Sequence, residues 1–133
     1  MTDTVIERRL LGLIGLGMRG RNVVVGVEQV RVAARKGALA LAVVAPDASA
    51  NSLKKIVPLL AALRIPELRG PGAAKLGAAV GRDSTAVVGV TDRALARGMR
   101  ELLEQVAEQP RHEAADRRRA GGRVAAKVAR RNG

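Results

Sequence analysis

Three glycines near the start of the chain have the spacing of a nucleotide-binding loop. Gly15, Gly17 and Gly20 fit the pattern G-x-G-x-x-G within residues 12–22, GLIGLGMRGRN. In a dinucleotide site such glycines follow a strand and begin a helix, so that backbone amides meet the pyrophosphate. The spacing would therefore suit a nicotinamide-dependent oxidoreductase or a small Rossmann-like nucleotide-binding protein.

The residues that follow this motif favour a different interpretation. Val23, Val24 and Val25 come directly after it, and β-branched residues are a poor start for a helix. The acidic residue expected about 20 positions further on is missing, and Asp47 lies too far along the chain. The alternative is a glycine-containing helix packed closely against a neighbour. On this interpretation the chain has no cofactor.

Composition points to a polyanionic partner. The 133 residues carry 24 Lys and Arg against 12 Asp and Glu, a net charge of +12, which attracts nucleic acid or an anionic surface. The chain contains no Phe, Tyr or Trp, so bases cannot stack on aromatic rings as they do in many single-strand binders. The chain can therefore recognise nucleic acid only through charge, backbone contacts and polar contacts to base edges. These means favour a structured duplex or junction as the ligand. The absence of cysteine excludes disulfides and thiolate zinc sites and is compatible with the cytoplasm.

Stepping along the chain, strands alternate with helices. Apolar periodicity predicts helices over residues 5–18, 27–36, 49–63, 72–80 and 92–108, and strands over 23–25, 39–45, 65–69 and 85–90. We expect Pro58 to kink or break its helix and Thr91 to cap the last one, and both Thr91 and Asp92 fit helix capping better than metal binding. Alternation of this kind predicts an α/β layered fold.

The last part of the chain has a different composition. Residues 110–133 hold eight Lys and Arg against two acids, a net charge of +6 and half that of the chain. Little apolar surface is available there for a core. We therefore predict a domain over residues 1–108 and a basic, disordered tail over 109–133 that adds salt-dependent affinity for RNA.

An ordered set of short segments carries a family resemblance. The segments are LLGL (10–13), GVEQ (26–29), RKG (35–37), VVAPDAS (43–49), IPELRG (65–70) and KLGAAVGRDSTAVVGVTD (75–92). Together they cover roughly residues 5–105 and resemble the L7Ae/L30e superfamily, most closely its short bacterial members of the YlxQ type. The resemblance implies a three-layer α/β/α sandwich with a small mixed sheet that binds kink-turn-like RNA.

The resemblance also implies roles for particular residues. Gly26 would let the RNA approach the backbone, and Glu28 and Gln29 would take the two positions that read base edges. Arg82 would contact a phosphate and Ser84 would form a hydrogen bond in a second loop. The full set of expected RNA-binding residues is Arg19, Arg21, Asn22, Gly26, Val27, Glu28, Gln29, Arg31, Lys36, Arg82 and Ser84.

The sequence departs from the family pattern at three positions. Lysines are common where Val24 and Val25 stand, and a basic residue is common at the position of Val32. We expect Arg19 and Arg21 to supply the missing charge from a neighbouring turn. Glu28 and Gln29 also fit ordinary exposed residues of a first helical turn, where acids are favoured, and Asp47 fits a turn or helix cap.

These observations lead to one main expectation and two alternatives. No cluster resembles a Ser-His-Asp set or paired acid/base carboxylates, and the only histidine, His112, falls in the basic tail. We expect a non-enzymatic, monomeric, cytoplasmic RNA-binding protein associated with the ribosome or translation, with no metal and no membrane partner. The alternatives are a Rossmann-like nucleotide-binding protein and a basic protein–protein module on the ribosome.

Overall fold

The computed structural model describes residues 4–108, and the predicted tail at 109–133 lies outside them. The chain divides into two units, Met1–Leu102 and Leu103–Gly133, and the described part of the second is residues 103–108. The described elements are α1 (Thr4–Arg19), β1 (Val23–Val25), α2 (Val27–Arg35), β2 (Leu41–Val44), α3 (Ala50–Ala62), β3 (Glu67–Arg69), α4 (Ala73–Ala79), β4 (Val87–Val90) and α5 (Arg93–Glu108). No helix among these is long and apolar enough to cross a bilayer.

The four described strands form one mixed sheet in the order β1-β4-β2-β3. Strand β4 is antiparallel to both β1 and β2, and β2 pairs with β3 in parallel. Strands β1, β2 and β3 therefore end where β4 begins. We call this edge of the sheet the Gly26 end, after the residue that follows β1. The edge where β1, β2 and β3 begin and β4 ends is called the opposite end.

Helices cover both faces of the sheet. Strands β2 and β4, LAVV and VVGV, are buried throughout, as their continuous apolar runs predict. On one face α2 and α3 pack Val30, Ile56 and Leu60 against Ala42 and Val44. On the other face α1 and α4 contact each other and the sheet, and their side chains Leu10, Ile14 and Leu76 are fully buried. The predicted three-layer α/β/α sandwich is confirmed.

The nucleotide-loop interpretation of the glycine motif is wrong. Gly15 and Gly17 lie in the second half of α1, and Gly20 follows its last residue. Within the described residues, which begin at Thr4, no strand precedes them, so their amides do not form the helix N-terminus that a pyrophosphate requires. Gly17 instead allows close packing, since an added Cβ would lie 2.6 Å from a methyl group of Leu95 and 2.9 Å from one of Val23. The glycine-containing packed helix is the correct alternative.

The structure decides two local expectations about helices, the cap of α5 and a break of α3 at Pro58. Asp92, not Thr91, caps α5, because its carboxylate accepts a hydrogen bond from the Leu95 amide at 2.8 Å. Pro58 does not end α3, which continues to Ala62. Ile56 and Leu60, on either side of the proline, are both buried and hold the helix on the sheet.

Candidate nucleic-acid interface

The Gly26 end of the sheet brings three separate loops together. The Gly26 amide donates to the Val87 carbonyl oxygen at 3.0 Å, which joins the start of α2 to the start of β4. The Ala45 amide donates to the Ala86 carbonyl oxygen at 2.8 Å, which joins the end of β2 to the same point. The segments 26–29, 46–49 and 81–86 therefore share one edge of the molecule.

Gly26 has a conformation that only glycine adopts readily. Its φ of 94° and ψ of 160° lie in a region that is essentially restricted to glycine. An added Cβ would meet no atom within 4 Å, so the backbone here is open on the outside. The residue is the N-cap of α2 and provides no side-chain cap, so the first amides of the helix keep their donors for a partner.

Glu28 and Gln29 stand on the outer surface of the first turn of α2. Both side chains are exposed, whereas the next residue, Val30, is completely buried. Burial of Val30 against the sheet fixes the rotation of the helix, so the carboxylate and the amide project into solvent beside the open backbone of Gly26. Together they offer acceptors and a donor of the kind that recognise base edges.

The loop that carries Arg82 and Ser84 is held from beneath by α4. The Arg82 amide donates to the Gly77 carbonyl oxygen at 2.7 Å, and the Thr85 amide donates to the Ala73 carbonyl oxygen at 3.0 Å. The buried Thr85 hydroxyl donates to the Val87 carbonyl oxygen at 3.2 Å. The backbone is thus fixed while the side chains of Arg82 and Ser84 remain exposed.

Asp47 has a structural role that its position in the sequence does not reveal. Its carboxylate accepts a hydrogen bond from the Ala73 amide at 2.8 Å, so it caps α4, 26 residues further along. Ser49 caps the nearer helix α3 by accepting from the Ser52 amide at 3.1 Å. Asp47 therefore ties the 46–49 segment to the start of α4 at the Gly26 end.

Four of the expected RNA-binding residues are not brought to this surface. Arg19, Arg21 and Asn22 precede β1, and the Asn22 carbonyl oxygen accepts from the Thr91 amide beyond the end of β4 at 2.9 Å. Lys36 follows α2 and also lies at the opposite end. Strands advance roughly 3.3 Å per residue, so Asn22 and Gly26 are roughly 13 Å apart. The expectation that Arg19 and Arg21 supply charge beside Gly26 is therefore wrong.

The side chains of Arg31 and Val27 make contacts within the protein. The Arg31 guanidinium donates to the Lys55 carbonyl oxygen at 2.7 Å, so it links α2 to α3. Val27 is half-buried and packs against the apolar core beneath α2. The side chains of Glu28, Gln29, Arg82 and Ser84 then form, with the backbone of Gly26, the candidate interface.

The described residues contain no group of three or more His, Cys, Asp or Glu side chains that could hold a metal ion.

Comparisons with known proteins agree with this architecture. Residues 8–99 match the family described as ribosomal protein L7Ae/L30e/S12e/Gadd45. The chain is 33% identical over 92 residues to the RNA-binding protein YlxQ of Bacillus subtilis, covering 69% of this chain and 92% of that protein. A solved protein of unknown function from Bacillus halodurans C has 30% identity and a TM-score of 0.67, over 72% of this chain and 97% of its own.

A more distant structure has the same fold. The 15.5kD RNA binding protein of Giardia lamblia superposes with a TM-score of 0.67 at 18% identity, covering 80% of this chain and 92% of that one. At this identity the likeness concerns the fold alone. The α/β/α arrangement of four strands and flanking helices is therefore shared between proteins whose sequences differ at most positions.

Proposed function

Because the chain belongs to the ribosomal protein L7Ae/L30e/S12e/Gadd45 family, we propose that it is a non-enzymatic RNA-binding protein. Its similarity to the RNA-binding protein YlxQ supports the same conclusion. The target that we propose is a structured, kink-turn-like RNA of the ribosome or the translation machinery, bound by a cytoplasmic monomer. The proposal assigns recognition to the Gly26 end and rests on the geometry there.

The observation that carries the proposal is the open backbone of Gly26 beside two exposed polar side chains. A bent junction exposes base edges and brings two phosphate strands close together, and a helix N-terminus offers free amides and partial positive charge. Without a Cβ, Gly26 lets a sugar or base approach to backbone contact. Glu28 can accept from amino and imino groups of a base, and Gln29 can both donate and accept.

The second loop completes the proposed contact. Arg82 is exposed and can pair with a phosphate, and Ser84 can donate to one. Both side chains extend from a backbone that α4 holds by hydrogen bonds, so little ordering is required when RNA binds. The loop therefore positions the RNA, while α2 reads it.

The proposal is tested by titrating a kinked RNA and a straight duplex with Glu28→Ala and Gln29→Ala variants. Loss of a base-edge contact costs about 1–3 kcal/mol for the RNA that presents those edges. We therefore expect each variant to lose affinity for the kinked RNA and to keep its affinity for the duplex.

Glu101→Ala, at an exposed position on α5, is the matched control and should alter neither affinity. A parent protein that binds both RNAs equally would refute kink recognition. Equal losses on both RNAs in the Gln29→Ala variant would refute base-edge readout.

A further inference from the structure

The opposite end of the sheet carries a group of exposed cations that the proposed recognition surface does not use. We define the basic face by the six side chains Arg19, Arg21, Arg35, Lys36, Arg64 and Arg93. All six are exposed, and none of them makes a side-chain hydrogen bond or an ion pair within the described part of the chain. We propose that this face is a second RNA-binding surface, which binds phosphates of a separate segment of the same RNA.

Backbone hydrogen bonds bring these cations to one edge. The Thr91 amide, just before Arg93, donates to Asn22 at 2.9 Å and thus joins the α1–β1 turn to the start of α5. The Ala40 amide donates to the Val90 carbonyl oxygen at 2.8 Å, which places the turn after α2 beside the end of β4. The Ala42 amide donates to Pro66 at 3.0 Å, which adds the turn after α3. Four different segments of the chain therefore contribute to the basic face.

Acidic side chains are almost absent from this edge. Asp92 and Glu67 are the acids at or next to these four turns. The Asp92 carboxylate is occupied in capping α5 at the Leu95 amide, and Glu67, the first residue of β3, forms an ion pair with Arg69. A cation near a helix C-terminus is favourable by itself, which accounts for a single charge in a last turn. It does not account for six unpaired cations on four segments. Such a concentration attracts a polyanion through its summed field.

Two of the arginines occupy backbone positions where glycine is the ordinary choice. The turns after α1, α2, α3 and α4 each contain a residue with positive φ, and at α2 and α4 this residue is Gly37 and Gly81. After α1 and α3 it is Arg21, with φ 61°, and Arg64, with φ 59°. The left-handed conformation is less stable for arginine than for glycine. Folding alone therefore does not explain these two residues, and both lie on the basic face.

A shallow cleft between two of the cations favours RNA over a featureless anionic surface. The cleft has a volume of about 300 Å³ and is lined by aliphatic side chains, including Leu39 and Leu63, with Arg35 and Arg64 among its lining residues. Leu63 is 44% exposed. Aliphatic groups and guanidinium planes are what remains for packing a sugar or base in a chain without aromatic residues.

The experiment replaces Arg21 and Arg64 by glycine in the full chain. Glycine is favoured at positive φ, so the double variant should melt at the same temperature as the parent or higher. A phosphate contact gives a salt slope of about −0.9, which corresponds to roughly eightfold in affinity between 1 M and 0.1 M salt. Loss of two contacts should therefore weaken RNA binding about 60-fold at 0.1 M salt and reduce the salt slope by about two.

Lys54→Gln with Arg100→Gln is the charge-matched control, since both side chains are exposed and lie outside the basic face. We expect this pair to change affinity less than about threefold, because salt screens distant charges. Arg21→Asn with Arg64→Asn, which also tolerates positive φ, repeats the test independently. Affinity losses no larger than in the control pair would overturn the proposal.

This inference rests on the proposed function for the identity of the ligand, but different results would refute the inference and the proposed function. If the recognition surface is at the Gly26 end, the Arg21→Gly, Arg64→Gly variant loses affinity for kinked and straight RNA alike and keeps their ratio. A parent chain without any preference for the kinked RNA would refute the proposed function. The salt slope of the same variant would still decide whether the basic face binds phosphate.

Discussion

Replacement of Gly77 by alanine would test how tightly α4 holds the loop that carries Arg82 and Ser84. An ideal Cβ on Gly77 would lie 2.4 Å from the Cα of Ser84, 2.6 Å from its nitrogen and 2.8 Å from its carbonyl carbon. All three are backbone atoms, so no side chain can rotate away to make room. Either the loop moves outward or α4 shifts, and both changes disturb the hydrogen bond from the Arg82 amide to Gly77.

The expected change in unfolding free energy for Gly77→Ala is the difference between two opposing effects. Alanine in place of glycine within a helix gains about 0.5–1 kcal/mol. Overpacking of a tight contact costs about 1–3 kcal/mol, and the upper half of that range applies because backbone must move. We therefore expect Gly77→Ala to lose about 1–2 kcal/mol of unfolding free energy.

Gly98 provides the matched control. It lies inside α5, and an added Cβ there would meet no atom within 4 Å. Gly98→Ala should therefore show the helical gain alone, about 0.5–1 kcal/mol. The two variants make the same chemical change within a helix and should alter stability in opposite directions.

Urea unfolding followed by far-ultraviolet circular dichroism is the suitable assay, because the chain has no Trp or Tyr for fluorescence. With an m-value of about 1–3 kcal/mol/M in urea, each kcal/mol shifts the unfolding midpoint by about 0.3–1 M, so the two variants should be clearly separated. Gly77→Ala should also weaken RNA binding, since the loop with Arg82 is displaced. If Gly77→Ala proves as stable as Gly98→Ala, the argument that Gly77 holds this loop in place is refuted.

Two further predictions concern the ends of the sheet. Gly26→Ala should cost about 1–3 kcal/mol, because its conformation is essentially restricted to glycine, and should abolish preference for kinked RNA. Gly37→Ala, also at positive φ but at the opposite end, should destabilise the fold and leave that preference intact. If both variants lost the preference for kinked RNA, general destabilisation of the fold would explain the loss. Asp92→Ala should cost about 0.5–2 kcal/mol through loss of the α5 cap, whereas Asp92→Asn keeps a capping side chain. Both Asp92 variants remove a negative charge next to Arg93 of the basic face and should bind RNA more tightly in a filter-binding or anisotropy titration. Unchanged affinity would argue against a phosphate contact there.

Most of the secondary structure follows from local patterns in the sequence. The apolar run predicted as a strand over residues 39–45 forms β2 at Leu41–Val44, and the valines at 23–25 form β1 as predicted. The helices predicted over residues 27–36 and 72–80 are each followed by a glycine, Gly37 and Gly81, and both glycines adopt positive φ. These features depend on residues close in the chain, so composition and spacing are sufficient to find them.

Contacts between distant segments could not be predicted in the same way. Asp47 caps a helix 26 residues away, and Arg31 binds the carbonyl of Lys55 across two helices. Arg19 and Arg21 are close to Gly26 in sequence, yet β1 carries the chain from one end of the sheet to the other between them. The strand order β1-β4-β2-β3 decides which turns lie at the same end of the sheet. That order is set by pairing between strands that are remote in sequence.

The distribution of charge between the two ends suggests that they contribute different parts of RNA binding. At the Gly26 end three acids, Glu28, Asp47 and Asp83, lie among the cations Arg69, Lys75 and Arg82, so this end is less cationic than the basic face. A carboxylate at position 28 repels a regular backbone and is stabilised only where base amino or imino groups meet it. Removal of Glu28 should therefore weaken binding to kinked RNA without weakening binding to a straight duplex. Attraction would then come from the basic face, and selection from the Gly26 end.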